Sequence, residues 1–189
     1  MKVPDESEHV RLATAVAVLN ARYSSRSAAD RSIAPRACAD VLAALSEFQE
    51  CVRYLNTRRS KGAVLQLESE ADVQDALYLV LRPWLRDLVI ENPTDRTASR
   101  YAVKDFLIPS IRTVVEAKFI RDKSHGKSIS AELHDDIEMY RRHPSCGHLV
   151  FFIYDPNAWI PDQRALVEAI EVERIYGGVR LHCHVLIKP

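Results

Sequence analysis

Apolar positions along this chain change period several times, and each change marks an element. Leu12, Val16, Leu19 and Tyr23 step by four, three and four, and Val41, Leu45, Phe48, Val52 and Leu55 keep the same rhythm. That spacing lines one face of a helix, so an N-terminal helical pair is predicted, its second member opened by Pro35 and joined to the first across the polar stretch 24–35. A longer helix is expected from about Glu68 to Leu88, with Ala71, Val73, Ala76, Leu77, Val80, Leu81, Trp84 and Leu85 as its apolar set. Pro83 should kink or break it, because proline lacks an amide hydrogen and crowds the preceding turn.

Beyond this helix the pattern becomes strand-like. Leu88–Ile90 is a short strand, followed by a polar loop over 91–99. Val103–Ile108 and Ile111–Lys118 read as a hairpin turning at Pro109 and Ser110, in which facing residues have numbers summing to about 220. A basic, glycine-containing loop then leads to a helix over about Ser130–Arg142, with Ser128 or Ser130 as its cap. His148–Tyr154 is almost continuously apolar and of strand length, as expected of a strand buried on both faces. A helix over about Pro161–Arg174, a Gly177-Gly178 turn and a strand Val179–Ile187 complete the order. This is the order of an α/β sandwich with a mixed sheet. Two regions are expected: helices over 1–62, serving for docking or dimerisation, and an α/β domain over 63–189.

Composition narrows the class. The chain has 189 residues, 47% hydrophobic, with 26 basic and 26 acidic side chains and zero net charge. No apolar run approaches the roughly 18 residues of a membrane span, and the start Met-Lys-Val-Pro-Asp-Glu-Ser-Glu does not resemble a signal peptide, so a cytoplasmic location is expected. Cys38, Cys51, Cys146 and Cys183 show no Cys-x-x-Cys spacing, which fits reduced thiols. Positive charge is nevertheless clustered locally, at Arg121, Lys123, His125 and Lys127 and again at Arg141, Arg142 and His143.

The hairpin carries the most informative chemistry. Strand side chains alternate faces, so Glu116 and Lys118 project together while Ala117 points away. The expected register sets Asp105 opposite Glu116. Carboxylates so placed have Cβ atoms about 5 Å apart and repel one another. A divalent cation offsets that repulsion, since Mg²⁺ takes hard oxygen ligands from carboxylates and from a phosphate. Lys118 supplies a compact positive charge for orienting water or neutralising a developing oxyanion. An exposed Glu-Lys ion pair is the bland alternative, but Val114, Val115, Phe119 and Ile120 make the strand apolar on both faces. Cys146, His148, His182 and His184 invite a zinc reading, although core or edge histidines explain them more simply. His125 and His134 are further candidates for phosphate contact or proton transfer.

Taken together, Asp72-Val73-Gln74-Asp75-Ala76-Leu77, Val115-Glu116-Ala117-Lys118, Asp135-Asp136-Ile137-Glu138-Met139-Tyr140, His143-Pro144-Ser145-Cys146 and Phe152-Ile153-Tyr154-Asp155-Pro156 resemble the DpnII/MboI-type restriction endonuclease domain of the PD-(D/E)xK nuclease superfamily. The resemblance runs from about Glu68 to the C-terminus and differs in having Lys104 where a proline precedes the first carboxylate. It implies a restriction-endonuclease-like α/β sandwich and Mg²⁺- or Mn²⁺-dependent hydrolysis of DNA phosphodiesters in a restriction or antiphage setting. It further implies catalytic roles for Asp105, Glu116, Lys118 and Glu70, and metal ligation by Asp105, Glu116, Glu70 and Ala117. Substrate contacts would come from Gln74, Arg121, Lys123 and Lys127. A homodimer is expected, since one site cuts one strand, with a defence-system protein as a possible partner. The alternatives are a catalytically silent subunit that binds nucleic acid or protein, and an RNA-directed nuclease.

Overall fold

A computed structural model of the chain describes residues 37–57, 65–90, 106–141, 143, 146–176 and 178–189. The chain divides into compact units 1–34 and 35–189, and all described residues belong to the second. The helix expected around Leu12–Tyr23 therefore lies outside the described residues, as do Lys104 and Asp105.

A six-stranded mixed sheet organises the second unit. Its strands are β1 (Val89–Ile90), β2 (Phe106–Ile108), β3 (Thr113–Phe119), β4 (His148–Tyr154), β5 (Arg174–Tyr176) and β6 (Val179–Lys188), arranged in the order β1-β2-β3-β4-β6-β5. β1, β2 and β3 pair antiparallel, β3, β4 and β6 pair parallel, and β5 closes the far edge antiparallel to β6. Parallel neighbours need crossovers, which the helices supply.

Each face of the sheet is covered, as the apolar character of β4 requires. Val150 and Phe152 point to one side and Leu149, Phe151 and Ile153 to the other, all with no measurable exposure. The first side is covered by α1 (Cys38–Ser46), α2 (Phe48–Asn56) and α3 (Glu70–Leu81), through Val41, Leu45, Phe48, Val73 and Leu77. Phe48 packs edge-on to Phe152 with ring centres 4.8 Å apart. The second side is covered by α4 (Lys123–Tyr140) and α5 (Gln163–Ile170), through Ile129, Leu133, Ile137, Leu166 and Ile170.

Several elements differ in extent from the sequence reading. The stripe from Val41 to Leu55 falls on two helices, because the chain turns at Glu47. The long helix ends at Leu81, before Pro83, so the proline breaks rather than kinks it. Ser69 caps its start by accepting from the Asp72 amide. The hairpin turn is a 3₁₀ turn over Pro109–Ile111 that ends on Arg112 at φ 49°, so β3 begins at Thr113 instead of Ile111. α5 stops at Ile170, and Arg174–Tyr176, expected to follow a helix end, is an edge strand.

α4 differs most. It starts at Lys123, seven residues before Ser130, with Asp122 as its cap accepting from the amides of Ser124 and His125. Gly126, which suggested a loop, lies inside the helix. A Cβ there would sit 2.6 Å from the Trp159 carbonyl carbon, so this glycine lets α4 approach the segment after β4. That segment is fixed by the buried Asp155, whose carboxylate accepts from the amides of Trp159 at 2.9 Å and Ile160 at 3.0 Å.

Candidate active site

β3 and α4 build the site between them. Alternation along β3 sends Val115 and Ala117 into the apolar layer beneath α1–α3 and turns Glu116 and Lys118 toward α4. Both are buried, at 6% and 8% exposure, a costly position for charged groups without partners. α4 provides those partners from positions four residues apart, which share one helical face. Tyr140 donates its hydroxyl hydrogen to Oε1 of Glu116. Asp136 Oδ2 meets Lys118 Nζ at 2.8 Å, and Glu132 Oε1 lies 3.7 Å from the same ammonium.

About two turns nearer the start of α4, His125 continues the network. Its Nδ1 accepts from the Arg121 amide at 3.3 Å, so Nε2 carries the proton that is donated to Glu132 Oε2 at 3.0 Å. The cap, the imidazole and the carboxylates thus form one connected path from the end of β3 along α4.

Electrostatics fix the lysine's state. Burial disfavours its charge, but the hydrogen bond and charge of Asp136, with the charges of Glu116 and Glu70, outweigh it and hold the ammonium well above the usual lysine range. Lys118 is therefore a cation at neutral pH and cannot serve as a general base there. Asp136 is pushed upward by its burial, against the pull of Lys118, with Glu132 and Asp135 adding like charge.

The remaining sequence candidates distribute as follows. Glu70 is the first residue of α3, half-buried, and acts on Lys118 through its charge. Gln74 lies one turn later on the same helix, also half-buried. Arg121, Lys123 and Lys127 are exposed around the start of α4, on helix and cap rather than in the loop expected for them. The Ala117 side chain faces the opposite layer, so only its main chain could serve a metal. His134 is exposed, its Nδ1 2.7 Å from the carbonyl of Ser130 on its own helix. Cys146 packs in the α4-side layer, whereas His148 and His184 lie beside Cys38, so the Cys146-containing zinc set does not form.

Asp136, Tyr140 and Glu132 were not assigned to the site from sequence. The signal was present: 132, 136 and 140 recur every four residues as polar-group positions beside the apolar Leu133 and Ile137. A late assumed start for the helix hid its connection to His125.

Comparison with known proteins places these observations. The family model described as REase_DpnII-MboI matches residues 40–189. No curated protein and no solved structure matches the chain. The matched span opens within α1 and takes in every described strand, both parallel crossovers and the covered pair Glu116 and Lys118. The chain thus belongs to the DpnII–MboI family of restriction endonucleases, which implies nuclease activity on DNA.

Proposed function

We propose that this protein is a divalent-metal-dependent deoxyribonuclease whose centre is formed by Glu116, Lys118, Asp105 and Glu70. The observation that carries the reading is the buried pair on β3, held by Tyr140 and Asp136 of α4. A carboxylate and an ammonium two residues apart, buried and each held by a polar partner on α4, have no packing purpose that apolar residues would not serve better. Asp105 enters by extension. Leu107 faces the α4 side, and a strand continued back from it would give Asp105 the same face. The register that pairs Phe106 with Val115 would set it opposite Glu116.

The donor chemistry fits a hard divalent cation. A carboxylate accepts in about four directions, so the Tyr140 hydroxyl on Oε1 is compatible with a metal on the same group. Glu116, Asp105 and Glu70 would hold the ion, with the Ala117 carbonyl as a neutral ligand. When bound, Mg²⁺ or Mn²⁺ supplies charge neutralisation at the scissile phosphate and a more acidic water.

The chain's own residues do the rest. Tyr140 fixes the orientation of Glu116, and Asp136 with Glu132 positions the Lys118 ammonium so that its remaining donor capacity is aimed at a phosphate oxygen or the attacking water. As an ammonium, Lys118 would stabilise negative charge developing at the phosphate. Arg121, Lys123 and Lys127 would contact DNA phosphates at the start of α4, with Gln74 facing the substrate from α3.

We read the context as restriction or antiphage defence in the cytoplasm, with two chains acting on a duplex. Incubation of supercoiled plasmid with the protein and Mg²⁺ or Mn²⁺ tests the core of this reading. Nicked and linear products are expected from the wild type, with at least a hundredfold loss in Glu116→Gln and Lys118→Met. Equal inactivity of all three on plasmid, single-stranded DNA and RNA would sink it.

A further inference from the structure

On the sheet face away from α4, the first residue of α1 meets β4 and β6. A sulfur of Cys38 and ring nitrogens of His148 and His184 all lie within 4.8 Å of one another. His148 Nδ1 and His184 Nε2 are 3.3 Å apart. The register explains the convergence. His148 opens β4 beside Thr113 of β3 and His182 of β6, while His184 pairs with Val150, so both imidazoles project to the same face. α1 closes over that face and brings Cys38 in at 5% exposure. The His182 ring stacks on His148 with centres 5.1 Å apart and backs the cluster.

We propose that Cys38, His148 and His184 form a binding site for one zinc-class divalent cation, distinct from the Glu116 and Lys118 centre.

The argument is one of donor type and spacing. Two imidazole nitrogens at about 2.0–2.1 Å from a tetrahedral zinc stand roughly 3.3 Å apart, and a thiolate at about 2.3 Å stands roughly 3.6 Å from each. The observed nitrogen separation is 3.3 Å, and the Cys38 sulfur lies within 4.8 Å of a ring nitrogen of each histidine, so that a small inward shift of the thiol would complete the set. A hydrogen bond between neutral rings would satisfy the nitrogens and Thr113 the thiol, whereas a metal would engage all three donors at once. Thiolate plus imidazole is a soft to borderline set that suits zinc and disfavours Mg²⁺, which keeps oxygen ligands and water. Both imidazoles are half-buried beside the sulfur, and each can offer one ring-nitrogen lone pair to a metal. Burial raises the Cys38 thiol to about 11 against a hydrogen bond from Thr113. Binding therefore forms the sulfur–metal bond as the Sγ proton leaves to solvent, with no change of oxidation state. Arg112 opposes a cation here and Glu171 favours one. Water or His182 would complete the coordination. Such a site would fasten α1 to β4 and β6.

Metal-stripped whole protein titrated with Co²⁺ tests the site. One equivalent of Co²⁺ is expected to develop a thiolate-to-cobalt charge-transfer band that Zn²⁺ abolishes and Mg²⁺ does not, whatever further Co²⁺ the carboxylate centre takes up. Cys38→Ser should lose the band and bind Zn²⁺ at least a hundredfold more weakly, while Glu116→Gln keeps both. Should the serine variant not fold, the wild type still decides: one equivalent of Zn²⁺ should slow alkylation of Cys38 at least tenfold and leave Cys51 unchanged. Absence of the band in wild type, its persistence in a folded Cys38→Ser, or alkylation of Cys38 indifferent to Zn²⁺ overturns the proposal.

Discussion

The Tyr140 hydroxyl is the residue on which the geometry of Glu116 turns, because it is a neutral donor fixed by a helix and aimed at one oxygen of a buried carboxylate. Tyr140→Phe keeps the ring and its packing and removes only that donor. A buried acceptor deprived of its partner costs about 1–3 kcal/mol. Outer partners of a metal ligand typically contribute 10–100-fold in affinity, roughly. The variant should therefore fold, melt earlier and need about tenfold or more Mn²⁺ for half-maximal cleavage, as read from parallel melting and metal-titration curves. Unchanged metal demand would remove Tyr140 from its positioning role. At this scale the sequence was informative about β3, since strand alternation alone put Glu116 and Lys118 together and Ala117 apart. It was silent about Asp136 and Tyr140, because a helical partner is recognised only when the face it presents to the sheet is known.

At the scale of elements, α4 and the turn before β3 show how local signals mislead or succeed. Gly126 reads as a loop breaker, since glycine in a helix costs roughly 1 kcal/mol relative to alanine. Here close approach to the Trp159 backbone decides the residue. Gly126→Ala gains the propensity term but must displace backbone, and overpacking costs typically about 1–3 kcal/mol. Net destabilisation is expected in chemical denaturation, together with a weaker grip of α4 on β3. A gain in stability would show that the segment yields. The turn at Pro109–Ile111 is tied to the end of the α3 connection by Asp87, whose carboxylate accepts from the Ser110 amide at 2.9 Å. Burial alone would raise the Asp87 carboxyl, but the Ser110 hydrogen bonds hold it below the usual range. A depressed carboxyl stabilises the fold above its unfolded value near pH 4 and loses that contribution as pH falls through the folded value. Asp87→Ala should accordingly cost about 1 kcal/mol at pH 7, and the gap from wild type should narrow as pH falls through the depressed folded value. Denaturation curves at three pH values measure it. β4 was legible to the residue because a continuous apolar run ended by Asp155-Pro156-Asn157 admits one reading. β5 was not: three residues, Arg174–Tyr176, carry too little pattern to be told from a helix end.

For the whole molecule, the order of helices and strands predicted a mixed sheet between helical layers, and the family match over residues 40–189 agrees with it. What the sequence could not supply was the pairing across distance that brings α1 over the histidines of β4 and β6. Cys38 and His148 are far apart in the chain, and no spacing rule relates them.

The buried position of β3 beside β4 also has a consequence for how activity would be lost. Over its whole length, Thr113 to Phe119, it pairs with β4, which is itself sealed on both faces. Its amides can exchange with solvent only when the central sheet opens, not by fraying of a loop. The backbone hydrogens of Glu116 and Lys118 should be among the slowest to exchange for deuterium, and the rate of heat inactivation should follow global unfolding. Faster exchange there than in α5 would contradict this. On the proposed assignment, the Glu116 carboxylate would keep its place until the central sheet opens, and heating should abolish cleavage in a single cooperative step.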